Sequence, residues 1–378
     1  MKCDIIIPVW NQMQSTKNCI ESILSSTNHP IRLILINNAS DNQTASYLKN
    51  IKDTNADTIL INNDRNLGYI KAINQGLRSC DADYICLMNN DTIVSKGWLD
   101  ELIRFNKHRS EYGLLNPLCK GHKEHSMSVD EYGSHLQNIN QNKFMEMNQC
   151  QGYCMFLTKE VFNKVGFLDE VFGIGGFDDT DYSMRAYKTG YRCACVYTSY
   201  VYHDEHVSFN DLGDRKKIQK ASEIAYFKKW PRHLRAAFLF TFPKKSDSDK
   251  ICNMLKTVLS MARDWCWVNL MIFVDKDELK RVEEVKSMMN FPLHQNIKFR
   301  NLKKNIRFFE AGVRLIERSF GTKKRKQYDI IVYNDKSLSL PVKAACFFQK
   351  CGFLYSDFND FKPEAVNAIM SKKREKNV

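Results

Sequence analysis

The chain has 378 residues, of which 43% are hydrophobic and 26% are charged, and its formal net charge is +13. This balance excludes an intrinsically disordered chain, a collagen-like repeat and a minimal disulfide scaffold. At roughly 150 residues per domain, the length predicts about two domains. The longest apolar runs, such as 236–242 and 268–274, are far shorter than the ~20 residues of a membrane-spanning helix.

The charge is unevenly distributed along the sequence. Up to Trp230 the chain has 26 basic and 27 acidic residues, whereas from Pro231 onward it has 30 and 16. The last part is therefore strongly basic, and we expect it to bind an anionic partner.

Two features of the sequence concern its cellular compartment. The thirteen cysteines are odd in number, lack CxxC spacing and often stand within apolar runs, which favours reduced thiols over disulfides. The opening MKCDIIIPVW has strand character and lacks an apolar signal-peptide core. We therefore expect a cytoplasmic protein.

The first hundred residues alternate between short apolar runs and stretches with helical spacing. Strands are predicted at 3–9, 31–37, 57–62 and 83–89, and helices at 15–26, 69–77 and 97–108. Continuous apolarity is typical of strands buried on both faces of a parallel sheet, and the alternation indicates βαβ units. We predict a Rossmann-like α/β domain with a mostly parallel sheet.

The segment 116–150 is polar and weakly periodic, and we predict a functional or partly ordered loop there. Beyond it, a strand is predicted at GYCMFL, helices at 159–165 and 179–188, and a strand at 194–202.

A second α/β pattern begins near Ala236. Its predicted strands are AFLFTF, VNLMIFV, NIKFRNL and YDIIVYN, and its predicted helices are 250–263, 276–289, 307–320 and 337–350. Trp230-Pro231 interrupts a helix and marks the boundary. We thus predict a domain at 1–230, a smaller basic α/β domain at 231–370 and a charged, frayed tail at 371–378.

A cluster of mainly polar residues lies at the end of each of the first four predicted strands. In chain order these are Pro8 and Asn11, Asn38 and Asp41, Asn66 and Gly68, and Asn89, Asn90 and Asp91. Such residues are common in any loop. Because ligands of open parallel sheets bind at the carboxyl ends of the strands, four successive clusters nevertheless predict a ligand site.

The chemistry of this site is constrained by what the sequence lacks. Neither GxGxxG after the first strand nor GxxxxGK[ST] is present, so a phosphate group would not be held by a glycine-rich loop. Side chains and a metal ion would hold it instead. Asp91 is the best candidate ligand, since Mg²⁺ and Mn²⁺ favour oxygen ligands and bridge to phosphates.

Asp178, Asp179 and Asp181 open a predicted helix after the glycine-rich stretch 173–176. Acidic residues suit a helix N-terminus, which is one explanation for the cluster. The other is catalytic, because crowded carboxylates raise one another's pKa and a carboxylate of raised pKa is an effective general base.

Histidines offer further metal ligands. His203 and His206 follow the strand predicted at 194–202, and from the residues alone either could complete a site with Asp91. Cys119, His122 and His125 also have ligand spacing, but without a fourth ligand we interpret them as ordinary loop residues.

A series of motifs runs through the first part of the chain: IIIPVWN, NNASDNQT, NDRNLGYIKAINQGL, LMNNDT, GYCMFLTKEVF, FDDTDYSMRAYKTGYRC and YHDEHVSF. In this order they resemble the motifs of the family 2 glycosyltransferases of the GT-A fold. The most similar subgroup is the non-processive, rhamnosyltransferase-like bacterial enzymes. The resemblance covers about 1–209 and excludes 235–378. It implies an inverting enzyme of polysaccharide biosynthesis that moves a sugar from a UDP- or dTDP-linked donor to a hydroxyl of a glycan, lipid-linked or protein-linked acceptor.

The resemblance also implies residue roles. Pro8, Asn11, Asn38 and Asp41 would hold the base and ribose, and Asn66, Gly68 and Asn74 would lie near the nucleotide and sugar. Asn89, Asn90 and Asp91 occupy the metal–diphosphate position, with Asn89 in place of its first acid. Asp91 and His203 would bind Mn²⁺ or Mg²⁺, which favours His203 over His206. Asp179 would be the general base beside Asp178, with Gly152 and Asp181 on the acceptor side.

The sequence offers two alternative functions. A sugar-nucleotide pyrophosphorylase would carry a glycine-rich basic loop after the first strand, which PVWNQMQS lacks. The other alternative is a catalytically inactive GT-A-like module that binds carbohydrate or lipid. The presence of Asp91, Asp179 and His203 argues against it.

For the second domain, with its basic runs at 300–307 and 323–326, we expect contact with an anionic acceptor or membrane surface. Nucleic acid is not expected, since no recognised binding motif is present.

Overall fold

The computed structural model describes residues 1–120, 122–204, 215–242, 247–302, 327–356 and 363–375. His206, the predicted helix 307–320 and the basic run 323–326 lie outside these residues, as does most of the run 300–307. The chain divides into two compact units, Met1–Lys229 and Trp230–Val378.

Strands and helices alternate through the first unit. Its strands are β1 (Cys3–Val9), β2 (Ile31–Asn37), β3 (Thr58–Asn62), β4 (Tyr84–Met88), β5 (Thr92–Val94), β6 (Leu114–Leu118), β7 (Phe144–Met147), β8 (Cys154–Thr158) and β9 (Cys193–His203). Its helices are α1 (Met13–Ser26), α2 (Asn42–Thr54), α3 (Tyr69–Arg78), α4 (Trp98–His108), α5 (Val129–Ile139), α6 (Lys159–Val165), α7 (Asp178–Lys188) and α8 (Arg215–Lys229).

The strands of this unit form one sheet in the order β7-β9-β6-β8-β4-β1-β2-β3, and β5 pairs with β9. Its central part, β4-β1-β2-β3, is parallel, which confirms the predicted α/β class. Antiparallel pairs join β8 to β4 and to β6. Because β2 and β4 flank β1 on opposite sides, the strand order reverses at β1, and a crevice is expected there.

The core explains why the first strands are continuously apolar. Ile5 and Ile7 of β1 belong to a buried cluster with Ile20 of α1 and Trp98 of α4, on one face of the sheet. On the other face α3 lies so close that a Cβ on Gly76 would come within 2.4 Å of Ile6 Cγ2. Both faces are therefore covered, as expected for buried parallel strands.

The prediction of a loop at 116–150 is wrong. This segment contains the end of β6, all of α5 and all of β7, and β7 pairs antiparallel with β9. Ser128 begins α5 with a capping box formed with Glu131. The polar composition hid these elements because α5 and β7 bury only a few of their side chains.

The second unit is a separate α/β structure. It comprises β10 (Arg235–Thr241), α9 (Ser248–Arg263), β11 (Trp267–Phe273), α10 (Lys276–Met288), β12 (Leu293–His294), β13 (Ile297–Leu302), β14 (Ile330–Tyr333), α11 (Ser339–Gln349), β15 (Gly352–Tyr355) and α12 (Pro363–Glu375). Five of these strands form a parallel sheet in the order β13-β11-β10-β14-β15.

The sequence prediction for the end of the chain needs correction. Ser371 to Glu375 belong to α12 rather than to a frayed tail. The Arg374 guanidinium fixes this helix by donating to the Asp264 carboxylate and carbonyl, each at 2.6 Å. In the described part of the chain, none of the helices combines the length and apolarity that crossing a bilayer requires.

Candidate active site

The loops after β1 and β2 are tied together at the carboxyl edge of the sheet. Asn11 accepts at Oδ1 from the Asp41 N–H at 2.8 Å, and its own N–H donates to Ser40 Oγ at 3.0 Å. Asp41 also begins α2, because its Oδ1 accepts from the Thr44 N–H at 2.8 Å. That bond holds the pKa of Asp41 below its usual range.

Asn38 organises the loop after β3. Its Nδ2 donates to Asn66 Oδ1 at 2.7 Å, and its Oδ1 accepts from the Leu67 N–H at 2.9 Å. Asn66 in turn accepts from the Gly68 N–H at 2.9 Å. Asn38 is 4% exposed, and the hydrogen bonds of its amide group hold this loop in place, whereas Asn66 is exposed.

Asn74 does not face the predicted donor site. Its Nδ2 donates to the Leu168 carbonyl at 3.0 Å, its Oδ1 accepts from the Leu168 N–H at 3.0 Å, and the side chain is 1% exposed. We therefore correct its predicted role: Asn74 anchors the segment that precedes the glycine-rich stretch 173–176.

The pairing of β5 with β9 brings Asp91 and His203 together. Thr92, the residue after Asp91, is opposite His203 in the antiparallel register. Asp91 Oδ1 and His203 Nε2 are 3.2 Å apart, and Asn89 Nδ2 lies 3.4 Å from the same imidazole nitrogen. The Asn90 side chain turns into the core and donates to Thr16 Oγ1 at 2.9 Å.

The donor set at this point fits a divalent cation. Asp91 Oδ1 is buried and accepts no hydrogen bond from the residues that the structure describes. A carboxylate oxygen and an imidazole nitrogen are ligands suited to Mn²⁺. Within the same described residues, no group of three or more His, Cys, Asp or Glu side chains could hold a metal. Phosphate and water oxygens would thus have to supply the other ligands, as they usually do for Mg²⁺.

Asp178 and Asp179 occupy the first turn of α7. Phe177, which precedes the helix, has a left-handed backbone conformation with φ of 66°. Asp178 Oδ1 accepts from the Gly176 N–H at 2.7 Å. Asp179 Oδ1 accepts from the Thr180 N–H at 2.7 Å, and its Oδ2 accepts from the Gly152 N–H at 3.3 Å.

Burial is the main influence on these two carboxyl groups. Together with the neighbouring charge of Asp179, burial raises the pKa of Asp178 to about 7. Burial also raises the pKa of Asp179, against the hydrogen bonds from Thr180 and Gly152 that favour its ionised form. The pKa of both groups is therefore raised, chiefly by burial, whereas the crowding of charges that the sequence suggested contributes only at Asp178.

Gly152 and Tyr153 connect the carboxylate pair to the Asp91 and His203 pair. The Gly152 N–H donates to Asp179, and the Tyr153 ring stacks on the His203 ring, with centroids 5.3 Å apart and planes at 15°. Tyr69, which sequence reasoning missed, donates from its hydroxyl to the Gly152 carbonyl at 3.2 Å. Its position directly after Gly68 was the available signal.

The N-terminal loop of α7 also approaches the loop after β3. A Cβ on Gly68 would lie 3.3 Å from Ile174 Cα, and Gly68 has φ of +81°. On the other side of this loop, Ser222 of α8 donates to the Gly175 carbonyl at 3.1 Å. Gly68 is thus required both for its backbone conformation and for close packing.

Asp181 is not part of the acceptor side, contrary to the prediction. It is 0% exposed, and its Oδ2 accepts from Arg185 Nε at 2.9 Å while Oδ1 lies 2.8 Å from Lys229 Nζ. The helical i,i+4 spacing places Arg185 beside it. Asp181 therefore links α7 to α8.

The loop histidines interpreted as non-ligands have aromatic partners. His122 Nδ1 and the Tyr200 hydroxyl are 2.9 Å apart, and the His125 ring stacks on Tyr132 with centroids 5.2 Å apart.

The candidate site thus lies at the carboxyl edge of the parallel strands β1 to β4, and comparison of the sequence with known families finds a match over this part of the chain. Residues 4–166 match the model of the family described as glycosyl transferase family 2. This part of the chain is therefore similar to that family. The match includes Asp91 and Gly152 and ends before Asp178 and His203.

Individual relatives are distant. An uncharacterized glycosyltransferase of Haemophilus influenzae is 29% identical over 112 residues, which are 29% of this chain and 35% of that protein. A poly-β-1,6-N-acetyl-D-glucosamine synthase of Staphylococcus aureus is 24% identical over 170 residues, 43% of this chain and 41% of the synthase. The chain thus spans less than half the length of either relative.

The solved structures that resemble the chain do so weakly. A mannosyltransferase of Pyrobaculum calidifontis, in complex with GDP-Man and Mn²⁺, superposes with a TM-score of 0.46 at 14% identity, covering 60% of this chain and 63% of that one. The similarity to the family thus rests on the sequence of residues 4–166.

A structural role for Asp181 predicts a loss of stability on Asp181→Ala. The substitution leaves Arg185 and Lys229 without their buried partner, which should lower the free energy of unfolding by roughly 2–4 kcal/mol. Urea denaturation measures this change, with the exposed Asp53→Ala as the matched control. Wild-type stability in the Asp181 variant would contradict the assignment.

Asp178→Asn should stabilise the protein, and the gain should be larger at pH 8 than at pH 5. Its pKa of about 7 exceeds the ordinary value of 3.8, so the folded state retains a proton that the unfolded state has lost. The free energy of unfolding of the wild type therefore falls as pH rises between these two values. The Asn variant does not show this fall, because the amide does not titrate. We expect the gain to be larger at pH 8 than at pH 5 by roughly 2–3 kcal/mol, measured by urea denaturation at both pH values. An equal gain at both pH values would contradict the raised pKa.

Proposed function

We propose that the first unit transfers a sugar, with inversion, from a UDP- or dTDP-linked donor to a hydroxyl group of a glycan, lipid-linked or protein-linked acceptor. The similarity of part of the chain to a poly-N-acetylglucosamine synthase supports a glycan acceptor and a role in polysaccharide biosynthesis.

The observation that carries this proposal is the connection through Gly152 and Tyr153. Two consecutive residues contact Asp179 on one side and His203 on the other, while His203 lies 3.2 Å from Asp91. A general base and a diphosphate-binding pair are thereby held in one rigid arrangement. Transfer of a glycosyl group to a hydroxyl requires both functions at once.

Asp179 is proposed as the general base. Its carboxylate would accept the proton of the acceptor hydroxyl while the hydroxyl oxygen attacks the anomeric carbon and the bond from that carbon to the diphosphate breaks. Oδ2 is the better placed oxygen, since its 3.3 Å contact with the Gly152 N–H is long, whereas Oδ1 accepts a short bond from Thr180. A base opposite the leaving group accounts for inversion.

Asp91 and His203 are proposed to hold Mn²⁺ or Mg²⁺ together with the donor diphosphate. Bound there, the ion would act as a Lewis acid toward the leaving phosphate. Asn89 Nδ2 lies 3.4 Å from His203 Nε2, and the ion would replace that contact. On the nucleotide side, Pro8, Asn11, Asp41 and Asn66 are proposed to line the crevice that is expected at the carboxyl edge.

Replacing the base should abolish most of the turnover and leave donor binding intact. Asp179→Asn preserves the size of the side chain but cannot accept the proton, so transfer should fall by a factor on the order of 10²–10⁴. The assay is release of UDP or dTDP from a panel of donor sugars in the presence of a glycan acceptor, with Asp53→Asn as control.

Two outcomes would contradict the proposal. Wild-type transfer by Asp179→Asn would place the base elsewhere. If the wild-type chain neither transfers nor hydrolyses any donor while still binding glycan, the first unit is an inactive binding module.

The metal pair gives a separate prediction. Asp91→Ala and His203→Ala should each weaken Mn²⁺-dependent binding of the donor nucleotide, because each removes one of two protein ligands. Calorimetric titration of UDP with and without Mn²⁺ measures this, and the exposed His108→Ala serves as control. Chelation by EDTA should abolish transfer. Full activity in EDTA would show that no divalent ion is needed.

A further inference from the structure

The second unit exposes large apolar side chains on one helix and the strand that follows it. In α11, Leu340 is 79% exposed, Phe347 is 80% exposed and Phe348 is 50% exposed, and Phe353 of β15 is 45% exposed. Soluble surfaces rarely collect such residues without an interaction to make.

These residues share one side of the unit. Leu340 and Phe347 are seven positions apart and therefore lie on the same face of α11, opposite Val342 and Ala345, which are buried in the core. The Phe347 and Phe348 rings are 5.5 Å apart.

The edge strand β15 extends the same surface. Tyr355 packs against the cluster that contains Val342 and Ala345. Phe353 is two residues earlier in the strand, so it points to the same side of the sheet as Tyr355, which is the side that α11 covers. Because β15 is the last strand in the order of this sheet, Phe353 lies at its margin.

Basic residues accompany the apolar ones. Lys343 is exposed between Leu340 and Phe347 on the helix, and Lys336 and Lys350 are exposed near the two helix ends. The sequence from 336 to 356 contains these three lysines and no aspartate or glutamate. We call Leu340, Lys343, Phe347 and Phe353, together with Lys336 and Lys350, the apolar–basic face.

We propose that the apolar–basic face binds the surface of an anionic lipid bilayer. Helices that lie in the interface between water and a lipid bilayer combine apolar and aromatic side chains with lysines. The apolar side chains enter the boundary of the acyl chains, and the ammonium groups contact the lipid headgroups. Each lysine near an anionic leaflet contributes about fivefold in affinity. The face would hold the second unit at a membrane independently of sugar transfer by the first unit.

The test is co-flotation of the full chain with lipid vesicles. The chain is mixed with vesicles of phosphatidylcholine alone or of phosphatidylcholine with phosphatidylglycerol, at low and at high salt. We expect binding to the mixed vesicles at low salt, weaker binding at high salt, and little binding to phosphatidylcholine.

Variants locate the binding surface. The double substitution Leu340→Ser and Phe347→Ser should lower the affinity for mixed vesicles about tenfold or more. Lys343→Gln should lower it about fivefold. Met288→Ser and Lys280→Gln, at 70% exposed and 80% exposed positions of α10, are matched controls that should bind as the wild type does. Circular dichroism verifies that each variant is folded.

Three results would overturn the proposal. The first is absence of wild-type binding to mixed vesicles at low salt, and the second is wild-type affinity in the Leu340 and Phe347 double variant. The third is a wild-type dimer that this double variant dissociates, without vesicle binding, which would make the face an interface between two copies of the chain.

Discussion

The hydrogen bond from the Gly152 N–H to Asp179 is the contact on which the arrangement of the candidate site depends. It joins the first turn of α7 to the segment that precedes β8. The ring of the next residue, Tyr153, stacks on the ring of His203. Asn89 is held by the same segment, since its N–H donates to the Tyr153 carbonyl at 3.0 Å. A shift of Gly152 would therefore disturb the carboxylate pair and the Asp91 and His203 pair together.

The acidic start of α7 shows how one sequence motif divides into two roles. Asp181 is neutralised by Arg185 and Lys229, so its burial is compensated by opposite charge. Asp178 and Asp179 are instead stabilised by backbone N–H groups of Gly176, Thr180 and Gly152. Those bonds offset the burial incompletely, which leaves both pKa values raised.

Features that depend on local periodicity, such as the strands and the clusters at their ends, could be predicted from the sequence. Side-chain roles that depend on partners far along the chain could not. The four strand-end clusters could be located because β1 to β4 are continuously apolar, and the structure has Asp91 and His203 3.2 Å apart. The roles of Asn74 and Asp181 were misassigned because Leu168 and Lys229, their partners, are 94 and 48 positions away. The helix α5 and strand β7 were missed because few of their side chains are buried.

The electrostatics of the first unit gives a reason why the proposed donor diphosphate would need a cation. A donor diphosphate at the carboxyl edge would approach Asp91, Asp178 and Asp179, which are acidic, while Arg185 and Lys229 are engaged by Asp181. Two like charges at contact distance repel each other strongly where water is excluded. The buried Asp91 Oδ1, which accepts no hydrogen bond within the described part of the chain, has the character of an oxygen that a cation would satisfy. The same carboxylate that would repel a bare diphosphate thus becomes, with a divalent ion, the group that binds it.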